Sequence, residues 1–301
     1  MSKCIVTGGA GFIGSHITDK LIELGHEVHV VDNLLLGKEE FVHEQAIFHK
    51  VDIRNIEELQ KIFKGADVVF HQAADPRLPI SIEDPVSTHE INVTGTLNVL
   101  VAAKDQGVKK VICASSCATY DPNASLPITE DALQKPLSPY GLHKKMGEEY
   151  CRLFSQLYDL STVCLRYFNV FGPRKLDSGS YPMVIPTFLG QRQRGEKMTI
   201  VGDGKATRDY VYVADVVFAN IVAWKSGIRD GRGINIGNGK QTSVNEIAIA
   251  IGGEKINIPS RPGEMQKIEA DISIAKELFG WKPSVTLEEG IAELKKEWGI
   301  V

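Results

Sequence analysis

The sequence contains no apolar run approaching the ~20 residues that a membrane-crossing helix needs. Its first residues, Met1-Ser2-Lys3, pass directly into Cys4-Ile5-Val6 and then into glycines. The basic segment, longer apolar stretch and small-residue cleavage site of a signal peptide are missing. Cysteine is sparse, five in 301 residues, odd in number and without a CxxC pair. These absences set the expectation of a reducing cytoplasm, free thiols and no zinc site. Cys4, Cys113 and Cys164 fall in short β-type runs, where a thiol serves as a small hydrophobe. Neither sign of charge dominates: 34 Lys and Arg stand against 38 Asp and Glu, a net charge of −4. That balance argues against a nucleic-acid coat or a basic membrane-surface protein. The chain shows no internal repeat and no low-complexity segment. At this length a fold buries roughly 75% of its unfolded surface, so no covalent or metal staple is required.

What the chain does have is a regular alternation. Short β-rich runs occur at Lys3–Thr7, Val28–Val31, Ala46–Lys50, Asp67–His71, Lys110–Ala114 and Thr162–Tyr167, with a later one at Gly233–Ile236. Between the first two, Ile13, Ile17, Leu21 and Leu24 stand three or four apart, one apolar stripe of a helix. Near-continuous apolar strands separated by helices predict a parallel sheet covered on both faces, a Rossmann-type doubly wound α/β domain. After Gly172-Pro173-Arg174 the pattern loosens. Ser178–Pro182 reads as an irregular loop, and helical patterns recur at Val184–Arg194, Val213–Trp224, Val244–Ile251, Ile272–Phe279 and Leu287–Trp298. The expectation is a smaller mixed α/β C-terminal domain. Residues 1–172 with about 209–237 form the first unit, and 173–208 with 238–301 the second.

Thr7-Gly8-Gly9-Ala10-Gly11-Phe12-Ile13-Gly14 follows the first strand and opens the first helix. Gly8, Gly11 and Gly14 let the backbone turn sharply and approach a pyrophosphate, and the helix N-terminus beyond supplies N–H groups and partial positive charge. The loop lacks the Gly-Lys-Ser/Thr ending of a kinase-type phosphate loop. About 20 residues on, Asp32-Asn33 ends the second strand. An acid there accepts hydrogen bonds from ribose hydroxyls and repels a 2′-phosphate, which favours NAD over NADP. Asp52-Ile53 after the third strand is placed to cap the adenine. Ala73-Ala74 after the fourth offers small side chains where a dinucleotide would cross the sheet edge.

Tyr140-Gly141-Leu142-His143-Lys144 starts a helix, and the four-residue spacing puts Tyr140 and Lys144 on one face. A phenol of pKa near 10 becomes a base at neutral pH only when a cation stabilises its phenolate; Lys144 and an oxidised nicotinamide supply that field. Ser116 closes the fifth strand and can hydrogen-bond a sugar hydroxyl or the carbonyl made from it.

With these motifs in this order, the sequence resembles the extended short-chain dehydrogenases/reductases, specifically their NAD-dependent nucleotide-sugar epimerases. The resemblance runs through TGGAGFIG at Thr7–Gly14, VDNL at Val31–Leu34, SSCATY at Ser115–Tyr120 and YGLHK at Tyr140–Lys144. It continues through LRYFNVFGPR at Leu165–Arg174, GDGKATRDYVYVAD at Gly202–Asp215 and RPGE at Arg261–Glu264. It implies a tightly held NAD+ that is reduced and reoxidised in each turnover. Carried over residue by residue, Tyr140 is the acid/base, Lys144 its electrostatic partner and Ser116 the hydrogen-bonding helper. Asn169 contacts the sugar diphosphate, and Arg208 and Arg261 clamp it, a geometry that suits bidentate guanidinium. The resemblance adds Phe12, Ile13, Asn92 and Tyr167, beside Tyr140 and Lys144, to the cofactor contacts, and Val184 to the substrate contacts. Two positions depart from the family. His143 stands where Ser is common and reads as a helix neighbour rather than a catalytic group. Cys117 follows Ser116 where small residues are usual, with no cation beside it in sequence to make a thiolate.

Dehydratases of this branch carry Asp-Glu after the serine or threonine, and decarboxylases a Glu; here Cys117-Ala118 offers no carboxylate. The pattern therefore points to plain 4-epimerisation of a UDP-sugar through a transient 4-keto sugar. UDP-glucose/UDP-galactose comes first, the N-acetylated pair second and UDP-glucuronate third, with Arg174 or Lys175 as the cation for the last. The family's gate position falls on Ile268, intermediate between the aromatic that excludes an acetamido group and the small residue that admits it. A decarboxylase, a net reductase and a non-catalytic NAD sensor are the alternatives. The resemblance also implies a homodimer built from two helices per subunit, here roughly Val86–Lys104 and Tyr140–Tyr158. Val93, Leu97, Leu100 and Val101 suit that interface or, equally, packing on the sheet.

Overall fold

The computed structural model describes residues 1–175, 183–259 and 267–300. The expected loop at Ser178–Pro182 and the RPGE segment, Arg261 included, lie outside the described residues. The chain opens with β1 (Lys3–Thr7), α1 (Phe12–Glu23), β2 (Glu27–Asp32), β3 (Ile47–Lys50), α2 (Ile56–Phe63) and β4 (Val68–His71). Two short helices follow, α3 (Leu78–Glu83) and α4 (Pro85–His89), then a π-helical turn at Glu90–Thr94 and α5 (Gly95–Asp105). Next come β5 (Lys110–Ser116), α6 (Pro139–Tyr158), β6 (Ser161–Tyr167), β7 (Asn169–Phe171) and α7 (Val184–Gln193). The C-terminal part holds β8 (Met198–Val201), β9 (Thr207–Tyr212), α8 (Val213–Lys225), β10 (Gly233–Ile236), β11 (Gln241–Ser243) and α9 (Val244–Ile251). β12 (Lys255–Ile258), α10 (Ser273–Phe279) and α11 (Leu287–Glu297) end it.

Seven strands form one sheet in the order β10-β6-β5-β4-β1-β2-β3, every pair parallel. Its two faces bury alternate residues of the same strands. Cys4, Val6, Ile112, Ala114, Val163 and Leu165 face α1 and α8, whereas Ile5, Val111, Cys113 and Cys164 face α2, α5 and α6. That two-sided burial is why the strands read as unbroken apolar runs. Along α1, Ile17 and Leu21 are fully buried, while Leu24 is 40% exposed because the helix stops there and Gly25 turns at φ +79°.

β10 is a late strand that returns to the edge of this sheet beside β6, in register from Gly233 against Cys164. The remaining strands make two small sheets, β11-β9-β7 and β12-β8. They share a core with α7, α9 and α11 built on Phe171, Phe188, Ile200, Ile247 and Ile291. Among the described residues, no helix is long and apolar enough to cross a membrane.

Candidate active site

A cavity of about 760 Å³ opens at the carboxyl ends of β1, β2, β4, β5 and β6. This is the edge of a doubly wound sheet where ligands bind. Gly8 turns the chain at φ +71°, its N–H bonded to Val31 O at 2.8 Å while its carbonyl accepts Gly11 N–H at 3.0 Å. A Cβ on Gly14 would sit 2.1 Å from that same carbonyl oxygen, so only glycine lets α1 begin this close to β1. Gly11 precedes α1 without any side-chain cap, leaving the first-turn N–H groups directed at the cavity end. Asp32 is buried at the cavity wall. Its carboxylate accepts Ala10 N–H at 3.0 Å and Leu34 N–H at 2.8 Å, while desolvation raises its pKa above the usual carboxylate range.

Phe12, Ile13, Asn33, Asp52, Ile53, Ala73 and Ala74 also line the cavity. Asp52 takes hydrogen bonds from Arg54 and from the Asn33 amide, and these hold its carboxyl down at about 2. The Ala73 backbone lies against Gly8: a Cβ on Gly8 would come within 2.6 Å of Ala73 N.

Tyr140, Lys144 and Ser116 meet at one wall. Ser138 caps α6 by accepting Gly141 N–H, and Pro139 occupies its first position, so the helix starts where Tyr140 faces the end of β5. Burial pushes the Tyr140 phenol up to about 12, with a hydrogen bond to Ser116 opposing. Lys144 Nζ donates to Ala114 O at 2.8 Å and stands 6.0 Å from the Tyr140 ring centroid. Desolvation lowers the lysine's pKa. Tyr167 lines the floor, hydrogen-bonded to Asn220 and Gln72.

Cys117 lies on the wall with its thiol pushed up to about 12 by burial, so it remains an S–H group despite the nearby Arg208. His143 points away from the cavity against His89, and burial holds it neutral, down to about 4.

Asn169 and Arg208 line the far end, on the neighbouring strands β7 and β9. Asn169 donates to Asp209 O at 2.9 Å, and Arg208 reaches back to Thr207 O at 2.8 Å. Ile268 closes this end and packs with Tyr120, Ile128, Phe168 and Ala270.

Two expected contacts stand elsewhere. Asn92 lies behind the wall, buried, its amide accepting Asp75 N–H at 2.7 Å and donating to Asp75 O at 2.9 Å. It secures the turn after β4 that carries Ala73-Ala74. Val184 packs into the small-sheet core, and its neighbour Met183 occupies the cavity wall instead.

Gly37, Leu35 and Phe41 line the cavity without any local signal in the sequence. Gly37 packs on the Ala10 backbone and brings Leu35 and Phe41 over the glycine loop. Arg174 pairs with Asp19 at 2.8 Å and stacks over Phe41, while Lys175 lies 4.9 Å from the Phe12 ring centroid with burial lowering it to about 8.

The family model for NAD dependent epimerases/dehydratases matches residues 4–237. The chain belongs to that family. A relative from Mycolicibacterium smegmatis, UDP-glucose 4-epimerase, is 37% identical over 305 residues, covering 97% of this chain and 96% of its own. The crystal structure of a UDP-glucose 4-epimerase from Thermotoga maritima, holding UDP-glucose, superposes with a TM-score of 0.93 at 40% identity, over 99% of this chain and 98% of that one. A UDP-N-acetylglucosamine 4-epimerase from Methanobrevibacter ruminantium, in complex with UDP-N-acetylmuramic acid, gives 0.94 at 36% identity, over 99% and 98%. These three relatives of this epimerase/dehydratase family member are UDP-sugar 4-epimerases, which are isomerases, though not all of one sugar, and other relatives at 32–34% identity are UDP-sugar decarboxylases.

NAD is the cofactor of the family, and the residues present fit it. Gly8 and Gly14 let the loop pack backbone on backbone against Ala73 and the start of α1, which sets the uncapped first-turn N–H groups of α1 at the cavity as a cradle for a pyrophosphate. Arg174 Nη1 is buried without a partner among the described residues, beside the same loop. The Asp32 oxygens retain lone pairs for ribose hydroxyls.

Proposed function

We propose that this protein interconverts the C4 epimers of a UDP-hexose, UDP-glucose and UDP-galactose in the first place. The observation that carries this reading is one wall bearing Tyr140, Ser116 and Lys144, followed by Cys117-Ala118 rather than by a carboxylate. Tyr140 takes the proton of the C4 hydroxyl, and Ser116 holds the oxygen through its change from hydroxyl to carbonyl. Bound NAD supplies the hydride acceptor and donor. Burial pushes the free phenol up to about 12 and keeps it protonated at neutral pH, so its phenolate becomes accessible through the positive charge of the oxidised cofactor, beside Lys144. The large sheet holds the dinucleotide. Asn169, Arg208 and Arg261 hold the diphosphate, giving binding energy remote from carbon 4 while the keto sugar turns over between them.

The N-acetylated pair is the second reading, supported by the moderate bulk of Ile268 at the sugar end and by likeness to the M. ruminantium enzyme. UDP-glucuronate is less well served. Arg174 is committed to Asp19, and Lys175 lies at Phe12, both at the glycine-loop end.

The deciding experiment incubates the protein, without added NAD, with UDP-galactose and separately with UDP-N-acetylgalactosamine, then separates the sugar nucleotides. Formation of UDP-glucose from the first supports the proposal. Net NADH, carbon dioxide or a persisting keto sugar would overturn it, and turnover of the N-acetylated substrate alone would move the assignment to the second reading.

A further inference from the structure

Three cysteines far apart in sequence converge below the cavity. Cys113 and Cys164 are direct partners across the parallel β5–β6 ladder, and Cys151 comes down on them from α6. Their sulfur atoms lie within 4.8 Å of one another, and all three residues are buried, at 4%, 0% and 0% exposure for Cys113, Cys151 and Cys164. None of them lines the cavity, and the proposed reaction uses none of them.

Core packing accounts for each thiol singly, since each fills space that an alanine or valine could fill. It does not account for three sulfurs turned toward one point. Cys151 and Cys164 hydrogen-bond to the Cys113 sulfur, so the three sulfurs already share one proton network.

We propose that Cys113, Cys151 and Cys164 form a binding site for a soft divalent d10 cation held by three thiolates. Thiolates select soft metals over hard ones. Three sulfurs at roughly 2.3 Å from a zinc-sized centre stand about 4.0 Å apart in a trigonal plane, and larger soft ions set them wider, toward the 4.8 Å spacing limit seen here. Among the described residues no fourth His, Cys, Asp or Glu joins the cluster, whereas structural zinc is held by four ligands. His71 faces Cys113 across the β4–β5 ladder, but both its ring nitrogens are engaged, with Thr7 Oγ1 at 2.7 Å and Thr96 Oγ1 at 2.9 Å. The site therefore suits an ion content with three sulfur ligands, such as mercury(II) or cadmium(II), rather than zinc.

Charge also fits. Binding releases the thiol protons still held by the trio to solvent, and three thiolates with a divalent ion carry one net negative charge. The Lys144 ammonium, held on the carbonyl of Ala114 next to Cys113, supplies the opposite charge. Because the sulfurs are buried, an ion enters only when α6 lifts locally from the sheet, so loading is slow.

The test adds cadmium(II) to the folded protein and follows thiolate-to-cadmium charge-transfer absorption until it stops changing. Metal per chain is then measured after gel filtration. One cadmium per chain is expected in wild type and in Cys117→Ala, with stoichiometric uptake lost in both Cys151→Ala and Cys164→Ala. Melting curves and NAD content of each variant establish that it is folded. Either of two results overturns the proposal. One is no charge-transfer band in wild type although five thiols titrate as reduced after denaturation; the other is an undiminished band in Cys151→Ala or Cys164→Ala.

Discussion

Lys144 donates its hydrogen bond to the carbonyl oxygen of Ala114 at 2.8 Å while standing 6.0 Å from the centroid of the Tyr140 ring, one helical turn before it. The end of β5 thus holds the cation in place beside the tyrosine ring, with no hydrogen bond between the two. The arrangement separates two functions. Ser116 hydrogen-bonds the phenol, and Lys144 is anchored on the backbone of β5.

Removing the phenol should abolish proton transfer and leave the cofactor site whole. Tyr140→Phe is expected to lower turnover of UDP-galactose by about three orders of magnitude, within the range of positioned acid–base groups, with NAD content unchanged. Lys144→Ala should lower turnover and also shift the rising limb of the pH–rate profile upward, because the phenolate loses its stabilising charge. Steady-state kinetics across pH, with NAD measured after denaturation, check both. Near-normal turnover in Tyr140→Phe would remove Tyr140 from the reaction.

The glycine cradle admits no methyl group. In Gly14→Ala the new Cβ would stand 2.1 Å from Gly8 O, a backbone atom that cannot swing aside. The start of α1 must shift, at a cost of about 1–3 kcal/mol as for other overpacked sites. The expected outcome is a lower melting temperature together with NAD lost on purification, and absorbance of the purified variant reports the latter.

Stability should fall with acid through a buried histidine. His71 is held down at about 4 by burial, against 6.5 when exposed. Between those values the unfolded chain takes up a proton that the folded chain refuses. Its contribution is thus fully present above about 6.5 and is lost as pH falls toward 4. From pH 7 to pH 5 the wild type should lose about 2 kcal/mol more than His71→Gln, whose amide does not titrate. Urea denaturation of both proteins at the two pH values gives the difference directly. Equal losses would show that His71 is protonated normally in the folded state.

The expected homodimer can now be assigned to particular side chains. Val93 and Leu100 lie in the chain's own core against the sheet, so they do not serve as interface. Leu142, Leu153 and Leu157 share one face of α6 and are 48%, 38% and 66% exposed, with Val86 of α4 at 70%. Sedimentation velocity at micromolar concentration should give a dimer for wild type and a monomer for the double variant Leu153→Glu/Leu157→Glu. A wild-type monomer would refute the assignment.

Much of the molecule is legible in the sequence because its determinants are local. The strands from β1 to β6 read as apolar runs because both sheet faces are covered, and the runs match the strand positions to within two residues. The glycine loop is legible because the turn, the helix start and the close backbone contact all fall within eight consecutive residues. Tyr140 and Lys144 are legible because a helix of 3.6 residues per turn aligns positions four apart. Asn92 and Val184 show the limit. Each stands next to functional chain, yet the amide of one is spent on the Asp75 backbone and the side chain of the other turns into the small-sheet core.

The sequence by itself determined the strands of the large sheet, the phosphate loop and the Tyr140–Lys144 pair, since these depend on spacings of a few residues, whereas the strands of the two small sheets left no such pattern. Only the tertiary structure decided which side chains close the cavity. Phe41 reaches it through the packing of Gly37 on Ala10, and Arg174 through its pairing with Asp19 more than 150 residues earlier. It also brought together three free cysteines that no spacing in the sequence connects. The sequence has no CxxC pair, yet β5 pairs with β6, and α6 crosses above them. Residues 113, 151 and 164 meet because strand pairing and helix packing act across chain distances that no local pattern records.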